Sequence, residues 1–188
     1  MKLILQNHFL IAMPGIEDPF FKKSVIYICK HDSNGTMGII INKPIENLKI
    51  KDILKKLKIK DFKKKNKEIN KPVILGGPQS GDRGFILHSS KKKFSTSIKV
   101  SKNMLITTSR DILESIESLE DPENILVALG YCSWKKNQLE NELLENTWII
   151  TPASNYILFK VPMKNRWTEA AKTLGIDTKK ITMNFGNA

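Results

Sequence analysis

Arg83 lies between Gly81-Asp82 and Gly84 in the run VILGGPQSGDRGFILH, residues 73–88, and is one of three arginines in a chain of 188 residues. A guanidinium presents five donors in a fixed plane, suited to a carboxylate, a phosphate or a row of backbone carbonyls. Gly76, Gly77, Gly81 and Gly84 reach backbone angles closed to other residues, and Pro78 fixes one more. The segment therefore reads as a preorganised loop for recognising an anion or a backbone. The alternative is a loop staple in which Arg83 pairs with Asp82 or Asp111. His88 closes the run and offers a general base or a phosphate contact. The competing reading is a hydrogen-bonded structural histidine, since no serine or cysteine nucleophile is tied to it by spacing.

Three further groupings carry chemistry. In TTSRD, residues 107–111, Thr108 and Asp111 have capping-box spacing, and the amides of a helix start can also receive an anion. Capping explains both side chains, and the aspartate repels anions. Tyr131, Trp134, Gln138 and Glu142 form an aromatic and amide cluster in which Gln138 and Glu142, four apart, share a helix face. They line a groove for a peptide, a base or a partner protein, or else Trp134 is core and the polar pair caps loops. Cys29 and His31 are two apart on a predicted strand and share a face, the arrangement of a redox-responsive thiol or of inert packing. The two cysteines, Cys29 and Cys132, are too few for a secreted disulfide scaffold. His8, His31 and His88 lack zinc spacing, so no metal and no cofactor is expected.

Positioning these groups requires a core, and 40% hydrophobic residues in one domain-sized chain supply it. The whole chain, 1–188, reads as a single domain with a lysine-rich connector at about 59–71 and a loose tail at about 177–188. No apolar run reaches the roughly 20 residues of a membrane span, and MKLILQNHFLIAMPG reads as a first strand rather than a signal peptide. A cytoplasmic protein without membrane contact is expected. The net charge is +12. Residues 49–71 hold eleven lysines against three acids, which suggests non-specific nucleic-acid binding. Only three of the 31 basic residues are arginine, and lysine, isoleucine and asparagine are abundant together, as A/T-biased coding would produce. A solvated face is the simpler account.

Along the chain, Phe9 to Met13, Ser24 to His31 and Met37 to Asn42 read as strands, the last two joined by an Asn34-Gly35 hairpin turn and the third stopped by Pro44. Leu48, Ile50, Ile53, Leu54 and Leu57 predict an amphipathic helix. Val73 to Leu75 and Phe85 to Leu87 flank the Arg83 loop as strands. Ser97 to Val100 and Met104 to Thr107 form a strand pair. Ile112, Leu113, Ile116 and Leu119 face inward from a helix opened by Thr108 and followed by Pro122. Ile125 to Leu129 is a central strand buried on both faces, ended by Gly130, with Ser133 as N-cap of the next helix. Thr147 to Ile150 is a strand, and Tyr156 to Val161 fits strand or helix equally. A last helix from Arg166 turns Trp167, Ala170, Ala171 and Leu174 inward and ends at Gly175. These elements predict an α/β (α+β) fold, a mixed, largely antiparallel sheet flanked by helices.

Taken together, the blocks NHFLIAMPGIEDPFFKKSVIYICKH, GTMGIIINKP, VILGGPQSGDRGFILH, LITTSRDILESI and ILVALGYCSWKKNQLENELLENTWI resemble the YqgE/AlgH family over nearly the whole chain. Cys132, Ser133 and Lys136 depart from the residues usual there. The resemblance implies an α/β fold of mixed sheet and helices in a bacterial family without an established activity. One branch of it is named for a proposed role in regulating alginate synthesis through transcription. The resulting expectation is a regulatory or interaction protein, leaning non-enzymatic, with a protein partner or small anionic ligand at a surface combining 76–88 with 131–142. The alternatives are a small hydrolase or transferase for an anionic ligand using Arg83 and His88, and a nucleic-acid binder using 49–71.

Overall fold

The computed structural model describes residues 4–59, 67–89, 94–116 and 124–176. The chain opens with β1 (His8–Ala12), β2 (Val25–Asp32), β3 (Gly35–Ile40), β4 (Pro44–Lys49) and α1 (Ile50–Lys56). There follow β5 (Pro72–Leu75), β6 (Gln79–Ser89), β7 (Ile98–Ser101), β8 (Met104–Thr107) and α2 (Asp111–Ser115). The last part holds β9 (Asn124–Lys135), α3 (Gln138–Leu144), β10 (Trp148–Pro152), α4 (Asn155–Phe159) and α5 (Arg166–Lys172). The sheet runs β10-β1-β2-β3-β9-β6-β8-β7, with β5 also on β9 and β4 on β5. Every pairing is antiparallel except β5 with β9.

Strand parity divides the apolar residues among three cores, because successive side chains point to opposite faces. Phe9, Ile11, Val25 and Tyr27 pack with α4 and α5 through Ile157, Leu158, Trp167 and Ala170. Their neighbours Leu10, Ala12, Ile26 and Ile28 pack on the other face with Cys132, Trp134, Leu139 and Trp148. A third core joins α1 and α2 to Val73, Ile86, Ile125 and Val127. The sheet is largely antiparallel yet covered on both faces, which is why its strands read as continuous apolar runs rather than alternating ones.

Several boundaries differ from the sequence reading. Pro44 does not stop the structure after β3 but opens β4, whose Pro44 pairs with Ile74. Proline is tolerated there because β4 lies off the main sheet path, at an edge. The helix accordingly starts at Ile50, and Leu48 belongs to β4. Of the lysine-rich connector, residues 67–70 form a 3₁₀ turn that buries Ile69, and Lys71 pairs with Glu68 at 2.6 Å. Residues 60–66 lie outside the described residues, as do Leu119, Pro122 and the tail 177–188. Gly130 does not end its strand: β9 continues to Lys135, and Ser133 is a strand residue rather than an N-cap. Asn137, left-handed at φ 63°, precedes α3 instead. Tyr156 to Val161 resolves as the helix α4, and Leu174 lies beyond α5, 38% exposed. Among the described residues no helix is long and apolar enough to cross a membrane.

Candidate recognition site

The predicted loop 76–84 is shorter than its sequence suggests. β5 pairs with one edge of β9 and β6 with the other, and only Gly76, Gly77 and Pro78 connect them. The chain must therefore cross over β9, and it does so at Gly130. A Cβ on Gly76 would stand 2.3 Å from the Gly130 oxygen, and one on Gly77 2.2 Å from the Tyr131 carbonyl carbon. Gly130, at φ +76°, lies in the left-handed region that favours glycine. The crossing is also a hydrogen-bond junction. The Gly76 amide donates to the Leu129 oxygen at 2.7 Å, and the Gly76 oxygen accepts from the Ile40 amide at 2.8 Å.

Past the crossing, Gln79 pairs with Tyr131 and Gly84 with Leu129, so residues 80–83 bulge outward opposite Gly130 alone. This tongue is exposed, and Ser80 at its base has φ 46°. Arg83 neither staples it to Asp82 nor reaches Asp111. Its guanidinium lies 5.5 Å from the Phe85 ring centroid, and Phe85 in turn tilts against Tyr131 at 5.3 Å. Among the described residues Arg83 has no carboxylate partner. Gly76, Gly77, Arg83 and Tyr131 are thus brought together, propped by Phe85, an aromatic residue that in the sequence reads only as part of a strand.

Trp134, Gln138 and Glu142 also converge, but on the opposite face of β9. Tyr131 packs against the first core, whereas Cys132 and Trp134 enter the core shared with Trp148. The Trp134 and Trp148 indoles each donate Nε1–H to Glu142 Oε2 at 2.8 Å, and Gln138 Nε2 donates to Oε1 at 3.0 Å. Gln138 Oε1 accepts from the Lys135 amide at 3.0 Å. The cluster is a hydrogen-bonded lock between β9, α3 and β10, not a groove facing the tongue. Nothing in the spacing of the sequence marks Trp148 as its fourth member.

His88 and Thr108 lie elsewhere. His88 pairs with Ile125, six residues along β9 from Tyr131, or about 20 Å at strand rise. It is wholly buried, with Nε2 2.8 Å from Thr107 Oγ1, which contacts Ser97 Oγ at 2.7 Å, and its ring edge meets Phe94. Thr108 forms no capping box. Its hydroxyl donates to Thr96 Oγ1 at 3.0 Å, and α2 begins after Arg110 without a side-chain cap. Asp111 is committed to the 95–97 turn: it accepts from the Ser95 amide and hydroxyl at 2.8 Å each, from the Ile112 amide at 2.9 Å, and from Ser109 Oγ. Desolvation raises its pKa, but these hydrogen bonds outweigh that and hold it at about 2. A depressed carboxylate stabilises the fold above its ordinary pKa near 3.8 and loses that contribution as pH falls toward 2. Thermal melts between pH 4 and pH 2 should therefore fall more steeply for the native chain than for Asp111→Asn. Parallel slopes would show that the turn does not depend on this charge.

Cys29 and His31 do not act as a pair. The β2–β3 register shifts between Ile28 and Lys30, leaving Cys29 as the extra residue of a bulge. Its thiol is 1% exposed and donates to the Tyr27 oxygen at 3.5 Å, while His31 Nδ1 contacts Thr36 Oγ1 at 2.8 Å. Burial, and then neighbouring Cys132, push the Cys29 pKa upward, the reverse of what a reactive thiolate needs. Cys132 is likewise raised by burial, to about 12. Both cysteines are free.

Comparison with known proteins agrees with this architecture. The AlgH-like family profile (DUF179) matches residues 9–179. A UPF0301 protein of Erwinia tasmaniensis is 56% identical over 185 residues, covering 98% of this chain and 99% of its own. The UPF0301 protein YqgE of Escherichia coli is 56% identical over 174 residues, 92% of this chain and 93% of its own. The solution structure of AlgH from Pseudomonas aeruginosa superposes with a TM-score of 0.77 at 36% identity, covering 97% of each chain. A crystal structure from Corynebacterium diphtheriae shares the fold at a TM-score of 0.73 and 15% identity, covering 97% of this chain and 92% of that one.

Proposed function

The chain belongs to the AlgH-like family, and on that premise we propose that it is a non-enzymatic interaction protein of the cytoplasm whose tongue, residues 80–83, docks a protein partner. The observation that carries this reading is Arg83: exposed, without a carboxylate partner among the described residues, and held over Phe85 on a strand anchored by a backbone crossing. A cation presented on a rigid support loses little freedom on binding, which favours recognition of a carboxylate or of backbone carbonyls on a partner. The residues that a hydrolase would combine with it are apart, His88 being buried five residues further along β6, about 17 Å at strand rise. A regulatory role linked to transcription would run through that partner.

The test is capture of partners from a lysate of the source bacterium on the immobilised full-length chain. Arg83→Glu should deplete a specific partner by about tenfold or more, as charge reversal at a contact does. Gly81→Ala, where an added Cβ meets nothing within 4 Å, should retain it. Identical partners recovered on Arg83→Glu would end the proposal. Trp134 and Glu142 are unsuitable for this purpose, because both belong to the internal lock.

A further inference from the structure

On the opposite side of β9 from β6, below the point where β5 leaves it, lies a cavity of ≈ 370 Å³ that none of the sequence candidates line. Its walls are apolar, with Leu126 from β9, Leu158 and Phe159 from α4, and Met163. Three cations complete them: Lys71, Lys160 and Arg166. Among the described residues no acidic residue lines the cavity. Lys71 already has Glu68 at 2.6 Å, and Lys160 is exposed.

Arg166 is different in kind. It is 5% exposed, and no carboxylate among the described residues pairs with it. Nε donates to the Val161 oxygen at 3.0 Å and Nη1 to the Ile41 oxygen. These bonds to neutral carbonyls orient the guanidinium without a carboxylate to balance its charge. Burial lowers its pKa to about 10, which leaves it charged at neutral pH. A buried unpaired charge is costly. An anion arriving in the cavity would offset that cost while its apolar part covered the walls.

We infer that this cavity binds a small amphipathic anion, a carboxylate carried on an apolar tail, with Arg166 receiving the carboxylate and Leu126, Leu158, Phe159 and Met163 receiving the tail. The volume lies near the lower end of small-molecule sites, about 300–1,000 Å³, and suits a saturated tail of about eight to ten carbons. This site is independent of the tongue and of the partner proposed for it.

Isothermal titration of the full-length chain with decanoate, decanol and inorganic phosphate tests the inference. Decanoate should bind saturably at one site, with decanol at least about tenfold weaker and phosphate giving no saturable heat, because head and tail are both needed. Met163→Trp, which fills the cavity from its wall, should abolish decanoate binding. Arg166→Gln should weaken it by about tenfold or more, the loss expected for a buried charged hydrogen bond. If that variant fails to fold, the decanoate-to-decanol ratio and Met163→Trp still decide. Equal binding of decanol, unchanged binding by Met163→Trp, or no saturable decanoate binding would each overturn the assignment.

Discussion

Gly77→Ala is expected to destabilise the fold by about 3 kcal/mol or more, because the added methyl meets backbone that cannot step aside. Its Cβ would lie 2.2 Å from the Tyr131 carbonyl carbon, 2.3 Å from its oxygen and 2.6 Å from the Cys132 nitrogen. Relieving this overlap means lifting the β5–β6 connection off β9. That lift strains the Gly76 bonds to Leu129 and Ile40, and with them the place where β3 and β5 share one strand edge. For a domain of this size, 1 kcal/mol corresponds to roughly 2–4 °C in Tm, so the melting midpoint should drop by about 6 °C or more. Gly81→Ala and Gly84→Ala serve as controls. An added Cβ at either has nothing within 4 Å, and each should stay within about 0.5 kcal/mol of the native chain. A Gly77→Ala protein melting alongside these controls would mean that the crossing is loose, and the tongue would lose its rigid anchor.

These four glycines show what was and was not legible in the sequence. Composition and turn chemistry identify GGPQSGDRG as special, but treat all its glycines as one loop. The fold separates Gly76 and Gly77, which permit two backbones to touch, from Gly81 and Gly84, which stand in open space on a projecting strand. The partner of that contact, Gly130, follows the apolar run ILVAL and reads as a terminator. A glycine inside a longer strand is equally a sign of close backbone approach, and only the position of β5 and β6 on opposite edges decides between them. Hairpin and central-strand expectations held because they depend on local turn residues and unbroken hydrophobicity, as with Asn34-Gly35 and Ile125 to Leu129. The grouping of Tyr131 with Trp134 failed on parity. Three residues apart in a helix they would be neighbours, but on β9 they point to opposite faces. In the sequence Arg166 reads only as the first residue of the last helix. That it is buried among apolar residues contributed by distant segments depends on long-range packing, which no local pattern records.

Glu142→Ala should be the second most damaging single change, at about 2–4 kcal/mol, since it removes the acceptor of two buried indole N–H groups at once. Trp134 and Trp148 are 6% and 4% exposed and meet edge to face at 6.2 Å. With Glu142 gone, each indole must find water or remain unsatisfied, and Gln138 loses the bond that holds it for the Lys135 amide. Glu142→Gln retains an acceptor oxygen on the same stem and should cost less than half as much. Trp134→Phe and Trp148→Phe each remove one donor together with its need for a partner, so neither should match the alanine variant if satisfying the indoles is what matters. Denaturant melts rank the four variants. The near-ultraviolet circular dichroism of Glu142→Ala should also lose the signal of the paired tryptophans while the far-ultraviolet spectrum is kept. An alanine variant as stable as the glutamine one would show that packing around the rings, rather than the shared carboxylate, joins β10 and α3 to the end of β9.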